Sequence, residues 1–389
     1  MFRSARASTV VVCLLLPAVV MLPGGAAARQ PGPSSASRLS GTTSDPQFDL
    51  GAPALSATGR YVAYLAIRRD DTSRQQVRRT DLTRGGYELL NPSVDGGVAV
   101  GNYSRPPVIS GDGSRVAFTS SATRLVRNDG NGLFDAFVRD AGTDTTLLAS
   151  AALDGGAANG ASGMTSLSKS GRYAVFTSSA TDVVAGSTTT NGDVYRRDLR
   201  TRTTVQVTVR PDGSPSRGPG STSADVSADG HLVAFNSYDT DLARTDGADQ
   251  DADLFVRNLT TGRTRWLSKG VPVGADPSGV VISPDGRWVS SRWADGSLHL
   301  TRVATGSTST VTADGYALLG AFSSQLGRFV FVSGGTPYVR DLGTGVDTAV
   351  TVPDGGVVTS VSVSGDGRFA AYDWAPDDGG PSVIRRVAL

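Results

Sequence analysis

The sequence predicts an all-β protein, a seven-bladed β-propeller of four-stranded antiparallel blades closed by an N-terminal strand. Three observations carry this. A strand-turn-strand motif occurs seven times, a second strand-turn element follows it in phase, and the two chain ends hold complementary fragments of one blade.

The motif is clearest in Ile109-Ser110-Gly111-Asp112-Gly113-Ser114-Arg115-Val116-Ala117-Phe118. Asp112-Gly113 supplies turn residues that tolerate positive φ, and the apolar run after it begins a second strand. The turn glycines are Gly59, Gly113, Gly171, Gly230, Gly286, Gly327 and Gly367, spaced by 54, 58, 59, 56, 41 and 40 residues. The shorter spacings match one propeller blade, and the longer ones add loop length to it. The second element is Phe137-Val138-Arg139-Asp140, with equivalents at Tyr195, Phe255 and Tyr338, and it reads as a third strand turning into a fourth. Tyr64, Phe118, Phe176, Phe235 and Tyr372 all stand five residues after the turn glycine, where they should pack between blades. Ser291 and Val332 hold that place in the fifth and sixth repeats, so this part of the ring should be the less tightly packed.

These residues resemble the TolB-like family of propeller repeats, whose core reads Ser-Pro-Asp-Gly-Arg followed by an apolar strand and then a Tyr-Val-x-Asp element. Ser283-Pro284-Asp285-Gly286-Arg287 matches it outright, and the copy ending at Gly327 is one residue longer, with Leu326 in place of Asp. The resemblance covers nearly all of the chain after residue 36. It implies the fold far more than a function, since such propellers serve as binding modules, translocation partners and gating domains of peptidases.

Residues 1–28 carry Arg3 and Arg6, an apolar run from Val10 to Leu22, and Ala26-Ala27-Ala28, the pattern of a secretory signal with its cleavage site. Residues 29–36 read as a flexible leader, and residues 37–389 as a single propeller domain. Residues 37–42 should pair with residues 383–387, because the first fragment looks like a fourth strand without its blade and the last repeat stops after its third. The expected location is outside the cell, extracellular, periplasmic or bound to the cell wall. Cys13, the one cysteine, lies in the signal, so the mature chain would have no thiol for a disulfide, a nucleophile or a metal.

Net charge of +1 gives no bulk attraction for nucleic acid or a membrane surface, and no segment of the mature chain reads as a membrane span. Of 37 basic residues only Lys169 and Lys269 are lysine. First-to-second and third-to-fourth turns lie on one face of a propeller and are tight here. The other connections, such as Thr119 to Ala136, Thr177 to Val194 and Asn236 to Leu254, are long and gather on the opposite face, mostly over the first four blades. Long loops on a rigid scaffold are where binding usually resides. The expectation is a monomeric, non-catalytic binding module for a protein, peptide or cell-wall glycan. The alternative is an extracellular propeller hydrolase or lyase using carboxylates at the channel mouth.

Two loops carry oxygen ligands at alternate places, Asp129, Asn131 and Asp135 in one, and Asp246 with Asp249, Asp251 and Asp253 in the other. Calcium, which takes about six to eight oxygens, is the one cofactor this pattern suggests; the competing reading is Asx turns that lead into a strand. His231 and His299 are expected at surface or rim positions, and Asp225 on an inner strand is placed to face the central channel. No Gly-x-Ser-x-Gly element occurs.

Overall fold

A computed structural model describes residues 41–187, 191–216, 218–243, 251–269, 271, 274–312 and 317–389. The seven blades follow one another in sequence, each a meander whose strands pair in order. Blade 1 comprises Phe48–Leu55, Tyr61–Arg68, Gln75–Asp81 and Tyr87–Leu89. Blades 2 to 6 begin with Val108–Ile109, Ser162–Leu167, Ser221–Val226, Ser278–Ile282 and Leu318–Phe322. In blade 7 the first strand is split into Gly356–Val357 and Val361–Val363, both pairing with Phe369–Pro376, which pairs in turn with Val383–Ala388. The fourth strand of that blade is Gly41–Thr43, in register Gly41 to Arg386 and Thr43 to Ile384. The expected closure is therefore observed over residues 41–43; residues 37–40 lie outside the described ones.

The split in blade 7 is held by Asp373. Its buried carboxylate accepts hydrogen bonds from the Thr359 and Ser360 N–H groups at 2.9 and 2.8 Å and from both of their hydroxyls.

Each tight turn is built around a serine rather than around its glycine. In blade 2 the buried Ser110 accepts the Arg115 N–H on Oγ at 3.0 Å and donates to Asp112 at 2.6 Å, while Asp112 accepts the Ser114 N–H. Ser56, Ser168, Ser227, Ser283, Ser323 and Ser364 accept the N–H five residues on in the same way. A buried hydroxyl that satisfies a backbone donor and also orients the turn aspartate accounts for the Ser-x-Asp-Gly pattern.

This serine sets the register, and it corrects one expectation. In blade 6 the glycine comes one residue late, so counting from Ser323 puts Phe331, not Val332, at the place of Phe118 and Phe176. Phe331 packs with Leu298 and Leu300 of blade 5, whereas Val332 faces blade 7.

Seven apolar clusters fill the seven junctions, each drawing side chains from two neighbouring blades. At the junction of blades 2 and 3, Phe176 lies among Ala117, Ala136 and Val138 and stacks on Tyr195 at 5.5 Å. Tyr64, Phe118, Phe235 and Tyr372 are buried at their own junctions, as the shared register predicts. In blade 5, Ser290 and Ser291 are fully buried and their hydroxyls have no hydrogen-bond partner.

Arginine fastens the blades to one another. Arg79, Arg115, Arg196, Arg328 and Arg386 each donate to the carbonyl of the turn glycine in the next blade, Gly113, Gly171, Gly230, Gly367 and Gly59. Arg79, Arg196 and Arg386 also lie over an aromatic ring, Tyr61, Tyr173 and Phe369. A planar guanidinium stacks flat on the ring while its N–H groups point along the plane to the carbonyl, a geometry that suits arginine at these places. Gly113 has to be glycine for two reasons: its φ is 77°, and a Cβ there would stand 2.3 Å from the Tyr61 ring.

Candidate functional site

Three places could bear function: the central channel, the acidic loops and the long-loop face. The first strands of all seven blades surround the channel, which holds a cavity of about 240 Å³. At its tight-turn end a ring of backbone hydrogen bonds passes from blade to blade. Ala57 donates to Gly111, Gly111 to Lys169, Lys169 to Ala228 and Ala228 to Pro284, at 2.7–3.2 Å; beyond the break at Pro284, Ser324 donates to Gly365, and Asp366 to Ala57. Pro284 has no N–H to pass on to Ser324, so the ring is broken there. Lys169 reaches across this mouth and donates to Ser324 Oγ at 3.2 Å.

One layer deeper, the channel side chains are Ala54, Val108, Ser166, Asp225, Val281, Ala321 and Ser362. Asp225 faces the channel as expected, yet protein surrounds it. It accepts hydrogen bonds from Ser166 Oγ of blade 3, from the Ile282 N–H of blade 5 at 2.8 Å and from its own neighbour Val226 at 2.8 Å. Burial pushes its carboxyl up to about 6 against those three bonds, which favour the charged form. Among the described residues that line the channel, Asp225 is the one carboxylate. Two-carboxylate hydrolysis there lacks its second group. Asp225 instead links three consecutive blades.

The acidic loops divide into structural carboxylates and one exception. Asp135, Asp193 and Asp253 open the third strands of blades 2, 3 and 4 and accept from Ser150, Thr208 and Ser268 at 2.6, 2.7 and 2.5 Å. Those hydroxyls in turn accept the N–H of Ala136, Val194 and Leu254. Each pair is separated by 15 residues, a spacing legible in the sequence. Asp253 also accepts the Trp266 indole N–H at 2.7 Å, and Asp251 accepts the Gly274 N–H. Asp246 and Asp249 lie outside the described residues.

Asp129 differs. It is 7% exposed, and its Oδ1 has no hydrogen-bond partner. Its carboxyl is pushed up to about 6, by burial first and by the charge of Asp135 second. Asn131 stands between the two acids in sequence, its N–H near enough to Asp129 to favour the charged carboxylate, and its Nδ2 donates to Asp135 Oδ2 at 2.8 Å and to the Ala158 carbonyl at 3.0 Å. Among the described residues no group of three or more His, Cys, Asp or Glu side chains converges as a metal cage.

The histidines are not brought together. His231 is exposed, with Nδ1 3.2 Å from Thr260 Oγ1. His299 is buried, which corrects the expected surface position. The short loop 293–297 folds Trp293 onto its ring at a centroid distance of 3.6 Å, and Nε2 lies 2.6 Å from Ser297 Oγ. Ser297 gives its single proton to Asp295, so Nε2 is the donor in that contact. This polarity is opposite to that of an activated serine nucleophile.

On the long-loop face, each connection between blades packs on the long loop of the following blade. Val94 N–H donates to the Arg124 carbonyl at 2.8 Å, with Arg124 paired to Asp95. Leu153 N–H donates to the Asp182 carbonyl at 2.9 Å, and the Asp182 carboxylate accepts the Asn159 N–H. Asp239 accepts from Ser216 and Gly220, and Arg210 pairs with Asp241. These braced loops nevertheless present apolar side chains to solvent. Val100 is 75% exposed and Leu153 67%, with Val94, Val98 and Leu133 also exposed.

No family model matches the chain, and no curated protein matches it. Among solved structures the chain is similar to one described as "putative TolB from Agrobacterium tumefaciens", with 16% identity and a TM-score of 0.44, over 67% of this chain and 79% of that one. The fold stands on this chain's own strand order. Among the described residues no helix is long and apolar enough to cross a membrane.

Proposed function

We propose that this chain is a secreted, non-catalytic binding module that engages a protein or peptide through the long-loop face of blades 1–4. The observation that carries this reading is the exposure of Val100 and Leu153 on connections that are themselves hydrogen-bonded in place. Exposed aliphatic side chains on a pre-organised surface gain by being covered, and little loop entropy is lost when they are. Aliphatic tips suit a protein surface better than a glycan, which would call for exposed aromatic platforms. Secretion rests on the signal pattern of residues 1–28.

The test uses residues 29–389 as immobilised bait against culture supernatant and cell-envelope extract. It compares wild type, a Val100→Asp plus Leu153→Asp double variant, and Leu326→Asp on the opposite face. The expected result is a partner held by wild type and by Leu326→Asp but lost by the double variant, with all three melting alike. Equal retention by all three, or none by wild type, refutes the reading.

A further inference from the structure

The blade 2 loop contains a buried carboxylate oxygen with nothing bonded to it and a second acid close enough to repel it. We infer that a hard divalent cation of the calcium class binds between Asp129 Oδ1 and Asp135 Oδ2, with water completing its shell. The Asp129 side chain is buried, so solvent does not compensate Oδ1 as it would an exposed turn residue. A native protein rarely leaves such an atom unpaired, and a cation would satisfy it and remove the Asp129–Asp135 repulsion together. Asp135 is held in place by Ser150 on Oδ1 and by Asn131 Nδ2 on Oδ2, and the remaining lone pair of Oδ2 is the one that would meet the ion. Asn131, bonded to Asp135 and to the Ala158 carbonyl, braces the loop beside the pair.

The other acidic loop is the weaker candidate among its described members, because Asp253 is occupied by Ser268 and Trp266, and Asp251 by Gly274. Two protein carboxylates and water place the affinity in the range of extracellular calcium modules, with Kd of about 10⁻⁴ to 10⁻³ M. Calcium is favoured over magnesium because it accepts an irregular oxygen set. A bound ion would join the two ends of residues 129–135, a loop already tied by Asn131 to Ala158 of the neighbouring connection, and the inference does not depend on what that face binds.

Thermal melts of the mature chain in chelator and in 10 mM calcium, with magnesium in parallel, test it. Wild type should melt about 2–4 °C higher in calcium than in chelator, and the rise should grow with the logarithm of calcium concentration. Asp129→Asn removes one charge without changing shape, so it should melt in chelator at or above wild type and show no calcium response. Asp251→Asn should keep the full response. A wild-type midpoint that neither ion moves, a response that survives Asp129→Asn, or one abolished by Asp251→Asn overturns the inference. Partner retention measured in chelator keeps this result separate from that of the binding face.

Discussion

Truncating Phe176 to alanine probes the junction of blades 2 and 3, where the ring has no solvent access. The side chain is fully buried, stacked on Tyr195, and its neighbours from blade 2 are Ala117, Ala136 and Val138. A buried aromatic removes roughly 150–250 Å² from water, worth about 4–6 kcal/mol at 25 cal/mol per Å². Alanine keeps part of that, and the small blade 2 side chains cannot close the gap, so a cost of about 3–5 kcal/mol is expected. Met164, in the same cluster, is the side chain flexible enough to relax into the space, which favours the lower half of that range. Urea unfolding followed by tryptophan fluorescence measures it, provided the slope is unchanged. Val205→Ala on the exposed outer strand of blade 3 is the control, expected under about 1 kcal/mol. A Phe176→Ala cost below about 1 kcal/mol, or equal to the control, would refute interblade burial as the source of stability.

Two further predictions concern the turn and the channel. Gly113→Ala should cost about 2–4 kcal/mol, since the new Cβ meets both a φ of 77° and the Tyr61 ring; Gly327→Ala, with open space around it, should cost only about 1 kcal/mol, and equal losses in urea would contradict the interlock. Asp225 is held near 6 in the folded state against about 3.9 unfolded, so the native state binds the proton more tightly. Stability from this group is therefore greatest below about pH 4 and is lost as pH rises through about 6, a fall on the order of 2 kcal/mol. Asp129 titrates in the same direction and window. Asp135 and Asp49 are raised as well, so Asp225→Asn should remove part of the fall between pH 4.5 and 7, and an unchanged fall would show that Asp225 does not contribute to it.

What the sequence made legible was what repeats locally. Asp-Gly turns followed by apolar runs identified the blades, and an orphan strand at each end identified the closure, because both depend on neighbours in the chain. The blade 6 register was misread because the glycine was taken as the anchor, whereas the hydrogen bond from the Arg328 N–H to Ser323 Oγ fixes which strand residues face inward. Asp135 and Asp253 have a structural role that the alternating pattern does not show. Only a hydroxyl partner 15 residues away shows that these two open strands, whatever else their second oxygens bind. The arginine contacts to glycine carbonyls cross from blade to blade and leave no local pattern, although the arginine excess hinted that something used a planar cation. The orphaned Oδ1 of Asp129 is a property of packing alone.

The fastenings are unevenly distributed, and this bears on where the long loops sit. Among the described residues no arginine reaches the carbonyl of Gly286 or Gly327; at the two junctions of blade 5, Arg265 and Arg340 reach the carbonyls of Ala304 and Val311 instead. The backbone ring around the channel breaks at the same blade, at Pro284, and the buried hydroxyls without partners, Ser290 and Ser291, belong to it as well. Blades 1 to 4 are joined by an arginine tie at each of their three junctions, and Asp225 adds a further link from blade 3 through blade 4 to blade 5. The long loops stand over this tied arc. A loop transmits the rigidity of its base only if that base does not move against its neighbours, so the arc whose three junctions each carry an arginine tie to a turn glycine is the one expected to hold Val100 and Leu153 in fixed relative positions.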